Sequence, residues 1–420
     1  MEKLRIFGGG RLYGKIDISA SKNAYLPILA ASILSEGKVI LHNNPHFSDI
    51  YNMCSILCDL GSKIEYIGSD IIVDNSNLNN HFISQEKAGL LRSSIFSLGP
   101  ILGRMKKAKI AYPGGCEIGA RPIDIHLKGL ESLNVKICER HGFILCDGID
   151  MRSNELHLDF PSVGATENIM MASVFIKGTT TIHNVAMEPE IVDLQNFLNK
   201  LGAKVSGAGT EKIVVEGVEK LNDFTEYTPI PDRIIAGTYL LAGCSCGGEI
   251  ELKNVNKDHI GVLISKLQNS NCKFYFENDK ILLTSKGRMK SINKIETMPY
   301  PGFPTDLQSQ LMSALTTSKG TSVVVENVFE NRFMSVPELT KMGAKITTKG
   351  NVAVIHGVEE LYGANVVAHD LRGGAGLVLA GLKAQGYTTV DNIQLIDRGY
   401  FRIEDDLTRL GAKIKRIKCE

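Results

Sequence analysis

The chain contains no tryptophan, no apolar run long enough to cross a bilayer, and no excess of charge of either sign. Lysine and arginine total 47 against 46 aspartate and glutamate, a formal net charge of +1. A balanced chain does not attract nucleic acid or an anionic membrane through its overall field, so any anion site must be built locally. The first residues also lack the basic start and apolar core of a signal peptide. We therefore predict a cytoplasmic protein that binds neither nucleic acid nor membrane.

Cysteine is present nine times but never as C-x-x-C, and the odd number argues against a complete disulfide framework. Cys54 and Cys58, and likewise Cys244 and Cys246, are spaced closely enough to ligate a metal in principle. No second pair or histidine cluster at zinc spacing accompanies them. We expect these four cysteines to pack in the interior, and we predict neither a metal nor an organic cofactor.

One phrase recurs six times: an apolar helix end, a turn residue and an alternating strand, as in LCDLGSKIEY and LNKLGAKVS. The turn position is separated by 73, 68, 69, 72 and 68 residues from copy to copy and is filled by Gly61, Asn134, Gly202, Asn271, Gly343 and Gly411. Glycine and asparagine tolerate the left-handed conformation that ends a helix. At 420 residues the chain should form two or three domains. Six repeats of about 70 residues, split three and three, predict two similar lobes.

A second phrase leads most repeats: a helix of small apolar residues, a glycine turn and a β-branched strand. Helices that are apolar on every side are buried rather than amphipathic, so we predict an α/β fold with helices inside and sheets outside. A proline-marked segment, 226–231, separates the third and fourth copies. A first strand, from about Leu4 to Ile18, could pair with the sheet of the last repeat and close the second lobe.

Residues 112–126, YPGGCEIGARPIDIH, place one cysteine, Cys116, among glycines that bar regular structure and allow the backbone to move. This layout is typical of a mobile catalytic loop. Nearby cations, among them Arg104 and Lys106, would lower the pKa of the thiol, although Glu117 opposes them. The alternative is a buried thiol that acts as a small apolar side chain.

Several motifs together resemble the enolpyruvyl transferase family over the whole chain, and in particular its members that act on UDP-N-acetylglucosamine. They are Ser19–Asn23, Leu91–Ser93, Pro113–Glu131, Pro161–Asn168, Pro304–Asp306, Glu330–Phe333, Asp370–Gly374 and Asp397–Tyr400. The resemblance implies an inside-out α/β barrel in each of two domains, 22–228 and 1–21 plus 229–420, with the active site in the cleft between them. It implies transfer of the enolpyruvyl group of phosphoenolpyruvate to the 3′-hydroxyl of UDP-N-acetylglucosamine, the first committed step of peptidoglycan synthesis.

The resemblance also implies site residues. The catalytic residues are Cys116 as general acid, Asp306 as general base, and Lys22. Phosphoenolpyruvate is expected to meet Lys22, Asn23, Arg121, Arg332, Arg372 and Arg398, since arginine forks suit carboxylate and phosphate. UDP-N-acetylglucosamine is expected to meet Asn23, Arg92, Arg121, Pro122, Ile123, Asp124, Ile125, Ser162, Val163, Gly164, Asp306 and Val328. Asp370 is the expected partner in loop closure, and a fosfomycin-type epoxide should alkylate Cys116.

Several of these residues allow a second interpretation. Asp306 is also placed to cap the helix that begins LQSQLMSAL. Phe160 lies near the position where family members often carry a lysine, which leaves one uracil contact in doubt. Gly373, Gly374 and Gly376 permit close backbone approach, but alone they are weak evidence for a phosphate site. The alternative functions are enolpyruvyl transfer to shikimate 3-phosphate and noncatalytic binding of a nucleotide sugar.

Overall fold

Residues 2–114, 118–119 and 122–418 are described by the computed structural model. The α-helices of this part are α1 Lys22–Ser32, α2 Ser48–Asp59, α3 Gln85–Leu90, α4 Leu98–Met105, α5 Asp124–Ser132, α6 Val163–Ser173, α7 Pro189–Lys200, α8 Arg233–Cys246, α9 Gly261–Gln268, α10 Gln308–Leu315, α11 Val336–Lys341, α12 Leu371–Lys383 and α13 Ile403–Arg409. Short 3₁₀ helices cover Arg92–Ser97, Lys257–Ile260, Thr305–Leu307 and Ile393–Leu395.

The strands of the same part are β1 Glu2–Phe7, β2 Leu12–Asp17, β3 Lys38–Leu41, β4 Lys63–Ile67, β5 Asp70–Asp74, β6 Phe82–Ile83, β7 Lys107–Ala111, β8 Lys136–Arg140, β9 Phe143–Asp147, β10 Glu155–His157, β11 Thr179–His183, β12 Lys204–Ser206, β13 Lys212–Glu216, β14 Phe224–Tyr227, β15 Gly248–Lys253, β16 Lys273–Glu277, β17 Lys280–Ser285, β18 Lys294–Glu296, β19 Thr321–Val325, β20 Lys345–Lys349, β21 Val352–His356, β22 Asn365–Val367, β23 Tyr387–Asp391 and β24 Lys413–Lys418.

The predicted repeats are confirmed: the described chain forms six four-stranded sheets, and each repeat contributes a buried helix and a second, partly exposed one. All six predicted turn residues have positive φ, between 66° at Asn134 and 109° at Gly61. The left-handed turn lets the helix stop and the chain reverse into the outer strand of its sheet. The periodic glycines and asparagines therefore occupy the same helix-to-strand turn inside each structural repeat.

Each sheet has the same order, in which one strand pairs parallel with its neighbour and the other pairs are antiparallel. The sheets are β14-β3-β5-β4, β6-β7-β9-β8, β10-β11-β13-β12, β16-β17-β15-β2, β18-β19-β21-β20 and β22-β23-β1-β24. In the first of these, β14 follows the third repeat yet pairs parallel with β3 of the first. The three repeats between residues 20 and 230 are thereby joined in a cycle.

The single first strand predicted from Leu4 to Ile18 is wrong in one respect, because the structure has two strands there. β1 lies between β23 and β24 in the sheet of the last repeat, as expected. β2 instead pairs parallel with β15 in the sheet of the fourth repeat. The break falls at Gly8–Gly10, where Gly9 has φ +83° and a Cβ on Gly8 would come within 2.2 Å of the Ala384 carbonyl oxygen.

The prediction of buried helices is confirmed, and with it the α/β architecture. Every residue of α8 is buried, as is every residue of α12 except Lys383. Close packing uses small residues: a Cβ on Gly376 in α12 would lie 2.9 Å from the carbonyl oxygen of Ser309 in α10. Gly376 thus allows α12 to approach α10 closely. The strands alternate instead, as in β19, which buries one face and exposes the other.

Two compact units divide the described chain. Unit 1 comprises 2–19, 118–119 and 231–418, and unit 2 comprises 20–114 and 122–230. The short segment 118–119 lies inside the sequence of unit 2 but makes its contacts with unit 1. Across the described ranges, none of the helices combines the length and the apolar character that a membrane span requires.

Candidate active site

Two buried arginines of unit 1 converge on one carboxylate. Arg332 donates from Nη2 to Oδ1 of Asp306 at 2.6 Å, and Arg372 donates from Nη2 to Oδ2 at 2.9 Å. Both guanidinium groups are 3% exposed, whereas the Asp306 side chain is 26% exposed. The carboxylate therefore faces outward from a positively charged, largely dehydrated base, where charge-assisted hydrogen bonds are strong.

Asp370 holds both arginines of this cluster in place. Its Oδ1 accepts the backbone N–H groups of Arg372 and Gly373, both at 2.9 Å, and so caps α12. The same oxygen lies 3.4 Å from Nη1 of Arg332. Arg372 thus leaves the first turn of a capped helix in a fixed direction, with its guanidinium 5.6 Å from the ring centre of Tyr400. The structure brings together Asp306 and Arg332 of the fifth repeat and Asp370 and Arg372 of the sixth, all four of which the sequence predicted.

The cluster contains a buried donor with no partner among the described residues, Nη1 of Arg372. Burial alone would lower the pKa of this guanidinium, but Asp306 and other acidic groups outweigh burial and raise the pKa of Arg372. A buried cationic N–H without an acceptor costs free energy unless a ligand supplies one. Arg372 Nη1 therefore marks a position where an anionic ligand group would fit.

The alternative role of Asp306 as a helix cap is wrong. The residue lies within the 3₁₀ helix Thr305–Leu307, and the structure shows no side-chain cap for α10. Its backbone is fixed by Gln310, whose Nε2 donates to the Asp306 carbonyl oxygen at 2.8 Å and to the Tyr400 hydroxyl at 3.0 Å. Because the backbone is held separately, the carboxylate is left for the arginines.

In unit 2, Lys22 is the first residue of α1, and its Nζ lies 3.3 Å from Oδ2 of Asp49 in the first turn of α2. Only 12% of the lysine side chain and 3% of the aspartate side chain are exposed. The sequence analysis did not select Asp49. A buried carboxylate beside the ammonium group stabilises its charge and restricts its position.

In unit 2, Asn168 of α6 is fully buried and contacts residues close in sequence to three of the segments predicted for the acceptor, those at Arg92, 122–125 and 162–164. Its amide nitrogen donates to the Ile95 carbonyl oxygen at 3.0 Å and lies 2.8 Å from Nδ1 of His126. Its amide oxygen accepts from the Gly99 N–H at 2.7 Å. These contacts tie α6 to the 3₁₀ helix that begins at Arg92 and to α5.

The N-terminus of α6 packs against the same two neighbours. Ser162 caps the helix by accepting from the Ala165 N–H, and a Cβ on Gly164 would lie 2.8 Å from the His126 ring and 2.9 Å from the Phe96 ring. Within the predicted stretch before and into α5, Ile123 is buried while Pro122 and Asp124 are exposed. A helix N-terminus offers backbone N–H groups to an anion such as a diphosphate.

Arg398 lies half-buried in the turn after the 3₁₀ helix Ile393–Leu395 of unit 1. The preceding residue, Asp397, is held by both Nη atoms of Arg416, at 2.9 and 2.7 Å. Arg416 also donates from Nε to Glu404 at 2.7 Å. The turn that carries Arg398 is therefore fixed by a strand at the end of the described chain. Val328, predicted on the sugar side, lies half-buried in the loop after β19.

Cys116 and Arg121 lie outside the described residues, so their predicted roles are not placed here. Two of the cations predicted to act on the thiol are engaged elsewhere. Arg104 donates to the carbonyl oxygens of Ile33, Ser35 and Asn75, and Lys106 donates to the Gly103 carbonyl oxygen.

The described part of the same loop contacts the segment before Arg332. The Ile118 carbonyl oxygen accepts from the Asn331 N–H at 3.0 Å, and a Cβ on Gly119 would overlap the Glu330 carboxylate. Ile118 and Gly119 therefore contact the residues that directly precede Arg332 in unit 1.

The seven cysteines in the described ranges are all free thiols. Cys54, Cys244 and Cys246 are buried as predicted, and burial raises the pKa of each above its ordinary value. Cys58 is exposed, contrary to the prediction, because it lies at the solvent edge of the last turn of α2. Over the described ranges there is also no group of three His, Cys, Asp or Glu side chains able to hold a metal.

Comparison with known proteins identifies the family of the chain. The sequence pattern of the EPSP synthase (3-phosphoshikimate 1-carboxyvinyltransferase) family matches residues 6–407. The chain is 52% identical to UDP-N-acetylglucosamine 1-carboxyvinyltransferase 2 of Caldanaerobacter subterraneus subsp. tengcongensis, over 99% of this chain and 100% of the relative. It is 49% identical to the protein of the same name from Carboxydothermus hydrogenoformans, again over 99% and 100%.

Solved structures share the fold. The enolpyruvyl transferase NikO from Streptomyces tendae has a TM-score of 0.89 at 23% identity, covering 100% of this chain and 99% of that one. EPSP synthase from Acinetobacter baumannii has a TM-score of 0.76 at 16% identity, covering 100% of both chains. At such identities the likeness concerns the fold alone. The match to the family pattern over residues 6–407 and the full-length sequence relatives establish that the chain belongs to the EPSP synthase family of enolpyruvyl transferases, among the members named UDP-N-acetylglucosamine 1-carboxyvinyltransferase.

Proposed function

We propose that this chain transfers the enolpyruvyl group of phosphoenolpyruvate to the 3′-hydroxyl of UDP-N-acetylglucosamine and releases phosphate, the first committed step of peptidoglycan synthesis. The observation that carries the proposal is the pair of buried arginines on Asp306, with Arg372 Nη1 still lacking an acceptor among the described residues. The names of full-length relatives that are about half identical to this chain support the same reaction.

The donor, phosphoenolpyruvate, carries a carboxylate and a phosphate within a few bonds of each other, so its site needs several cations. Guanidinium forks bind both groups bidentately. Arg332, Arg372 and Arg398 would supply them from unit 1. Lys22, Asn23 and Arg121 would join them from the sequence of unit 2.

The acceptor would bind to the segments that Asn168 ties together. Arg92, the stretch 121–125 and the cap 162–164 are the proposed contacts for uridine and diphosphate, in part through backbone N–H groups. Asn23, Asp306 and Val328 are the proposed contacts on the sugar side. Phe160 is exposed and offers no charge to the uracil.

The reaction proceeds by addition and then elimination. Asp306 takes the proton of the 3′-hydroxyl as that oxygen bonds to C2 of the donor, while Cys116 gives a proton to C3. The tetrahedral product then loses the C3 proton and phosphate, which restores the double bond. Asp370 is the proposed partner in loop closure; it is 1% exposed, and its Oδ2 has no hydrogen-bond partner among the described residues. Because Cys116 is useful only once water is excluded, the nucleotide sugar should bind first.

The test is a turnover assay that measures phosphate release from phosphoenolpyruvate with each acceptor. We expect release with UDP-N-acetylglucosamine and none with shikimate 3-phosphate. Asp306→Asn is the control that removes the base. Tight binding of the nucleotide sugar without turnover would instead favour a noncatalytic binding protein, and release with shikimate 3-phosphate alone would overturn the proposed acceptor.

We propose that a phosphonate epoxide of the fosfomycin type alkylates Cys116, faster when the nucleotide sugar is bound. The exposed thiols Cys58 and Cys138 serve as internal controls, because access alone would label them equally. Cys116→Asp keeps a proton donor but removes the sulfur nucleophile, so this variant should turn over best at lower pH and resist the epoxide. Mass spectrometry that finds label mainly on Cys58 or Cys138 would contradict the assignment.

We also propose that the protein acts in the cytoplasm. The seven free thiols of the described ranges support this location, since disulfides are rare in reducing compartments.

A further inference from the structure

Glu326 follows β19 in unit 1 and is 3% exposed, yet its carboxylate accepts four hydrogen bonds. Oε1 accepts from the Thr297 hydroxyl at 2.9 Å and from the N–H groups of Val328 and Phe329 at 2.9 and 3.1 Å. Oε2 accepts from the Thr305 hydroxyl at 3.0 Å. Neither the motifs nor the family resemblance selected this residue.

The two oxygens serve different parts of the site. Oε1 fixes the turn that carries Val328, a proposed acceptor contact. Oε2 holds Thr305, which directly precedes Asp306 and whose hydroxyl also accepts from Nε of Arg332 at 3.3 Å. One buried carboxylate therefore connects the proposed base, a donor-binding arginine and the loop on the sugar side.

The direction of the Thr305 hydroxyl matters for Arg332. A hydroxyl has one proton and two lone pairs. Because Thr305 donates its proton to Glu326, it turns lone pairs toward the Arg332 N–H. An amide nitrogen in place of Oε2 would donate to Thr305 and push the hydroxyl proton elsewhere, with no acceptor provided for it.

We propose that Glu326 is a positioning residue of the enolpyruvyl transfer reaction, which orients Arg332 through Thr305 for the donor and holds the Val328 turn for the acceptor. The inference rests on the proposed function. Glu326 touches no reacting atom, so it acts through the direction it imposes on these neighbours. A misplacement of catalytic groups by about 1 Å is enough to lower a rate by one to two orders of magnitude.

Two substitutions at Glu326 distinguish the role of Oε2, which holds Thr305, from that of Oε1, which holds the Val328 turn. Glu326→Gln leaves one oxygen for the three Oε1 donors but turns a donor toward Thr305. We expect KM for phosphoenolpyruvate to rise and kcat to fall, each about tenfold, with KM for UDP-N-acetylglucosamine within about twofold of the parent. Glu326→Ala removes both carboxylate oxygens, so the KM values for phosphoenolpyruvate and for UDP-N-acetylglucosamine should both rise.

A matched pair of threonines tests the same point without altering the carboxylate. Thr305→Val and Thr297→Val each delete one hydroxyl that donates to Glu326, and Thr297 is fully buried beside the Asn327 N–H. Thr305→Val should raise the donor KM and lower kcat about tenfold. Thr297→Val should lose comparable or greater thermal stability while keeping the donor KM and kcat within about twofold.

The parent enzyme is assayed first with both substrates, and absence of turnover there would refute the proposed function itself. With an active parent, equal kinetics for the two threonine variants would overturn the positioning role. So would a Glu326→Gln variant whose two KM values rise in parallel with its loss of Tm. If Glu326→Ala does not fold, the other three variants still decide the question.

Discussion

Asp306→Asn should have opposite effects on donor affinity and on turnover. The carboxylate forms ion pairs with Arg332 and Arg372 at 2.6 and 2.9 Å and offsets part of their positive charge, and both arginines are proposed to bind the anionic donor. Replacing it with an amide removes a negative charge that repels phosphoenolpyruvate, while the amide oxygen still accepts one hydrogen bond. The variant should therefore bind the donor more tightly yet lack the base that takes the 3′-hydroxyl proton.

The size of each effect follows from the geometry. Two unit charges at roughly 5 Å interact by about 3 kcal/mol at an effective dielectric constant near 20. Because Asp306 is partly exposed, we expect about 1 to 2 kcal/mol, or roughly a 5- to 30-fold gain in donor affinity. Loss of a general base lowers turnover by roughly 10²-fold or more. Stability should fall by about 1 to 3 kcal/mol, since two buried guanidinium groups lose a charged acceptor.

Calorimetry with phosphoenolpyruvate in the presence of UDP-N-acetylglucosamine measures the first effect, and a phosphate-release assay measures the second. Asp306→Ala is the matched control, because it removes the charge and both acceptor atoms. Turnover within a few-fold of the parent would remove Asp306 from the role of base. Unchanged or weaker donor binding by the asparagine variant would show that the arginine cluster is not the donor site.

Three further predictions concern unit 2. Lys22→Ala should weaken the binding of phosphoenolpyruvate by about 2 to 5 kcal/mol and leave the binding of the nucleotide sugar unchanged. Asp49→Asn should weaken the binding of phosphoenolpyruvate less. Calorimetry that finds normal donor binding by the Lys22→Ala variant would exclude Lys22 from the donor site. Asn168→Ala should raise KM for the nucleotide sugar about tenfold more than the control Asn75→Ala does. Asn75 is a suitable control because it is also buried in unit 2 and its side chain also forms two hydrogen bonds. Equal KM values for the two variants would contradict the prediction. Burial raises the pKa of Asp193 to about 6, so its contribution to stability is present below the unfolded pKa of about 4 and is lost as pH rises through 6. The free energy of unfolding of Asp193→Asn, measured by urea unfolding, should rise relative to that of the parent by up to ~3 kcal/mol between pH 4 and pH 7. A difference between the two proteins that does not change with pH would refute the raised pKa of Asp193.

Local signals in the sequence predicted most of the architecture. The turn residues Gly61 and Asn134 could be recognised because a helix that reverses into a strand needs positive φ, which few residues tolerate. The buried helices could be recognised because their small apolar residues leave no polar face, as in α8. The break at Gly8–Gly10 was missed, since strands on either side of it look alike until their partners are known.

The site was predicted only where a residue carries its own chemical signal. Arg332 and Arg372 stand in family motifs and have the charge that an anionic donor requires. Asn168, Asp49 and Glu326 each form hydrogen bonds to residues 20 or more positions away in the chain. A lone asparagine, aspartate or glutamate in a sequence does not indicate such partners. Their roles depend on which segments the fold brings together.

The place of β1 has a consequence for the order of synthesis. Its two neighbours in the sheet, β23 and β24, end at Asp391 and Lys418, so β1 leaves the ribosome long before either exists. Residues 20–230, by contrast, include every strand of their three sheets and can fold while the rest is being made. The nascent chain must therefore hold its first strand unpaired, exposed to chaperones, until translation is nearly complete. A truncation that removes β24 leaves that strand with only one of its two neighbours, β23.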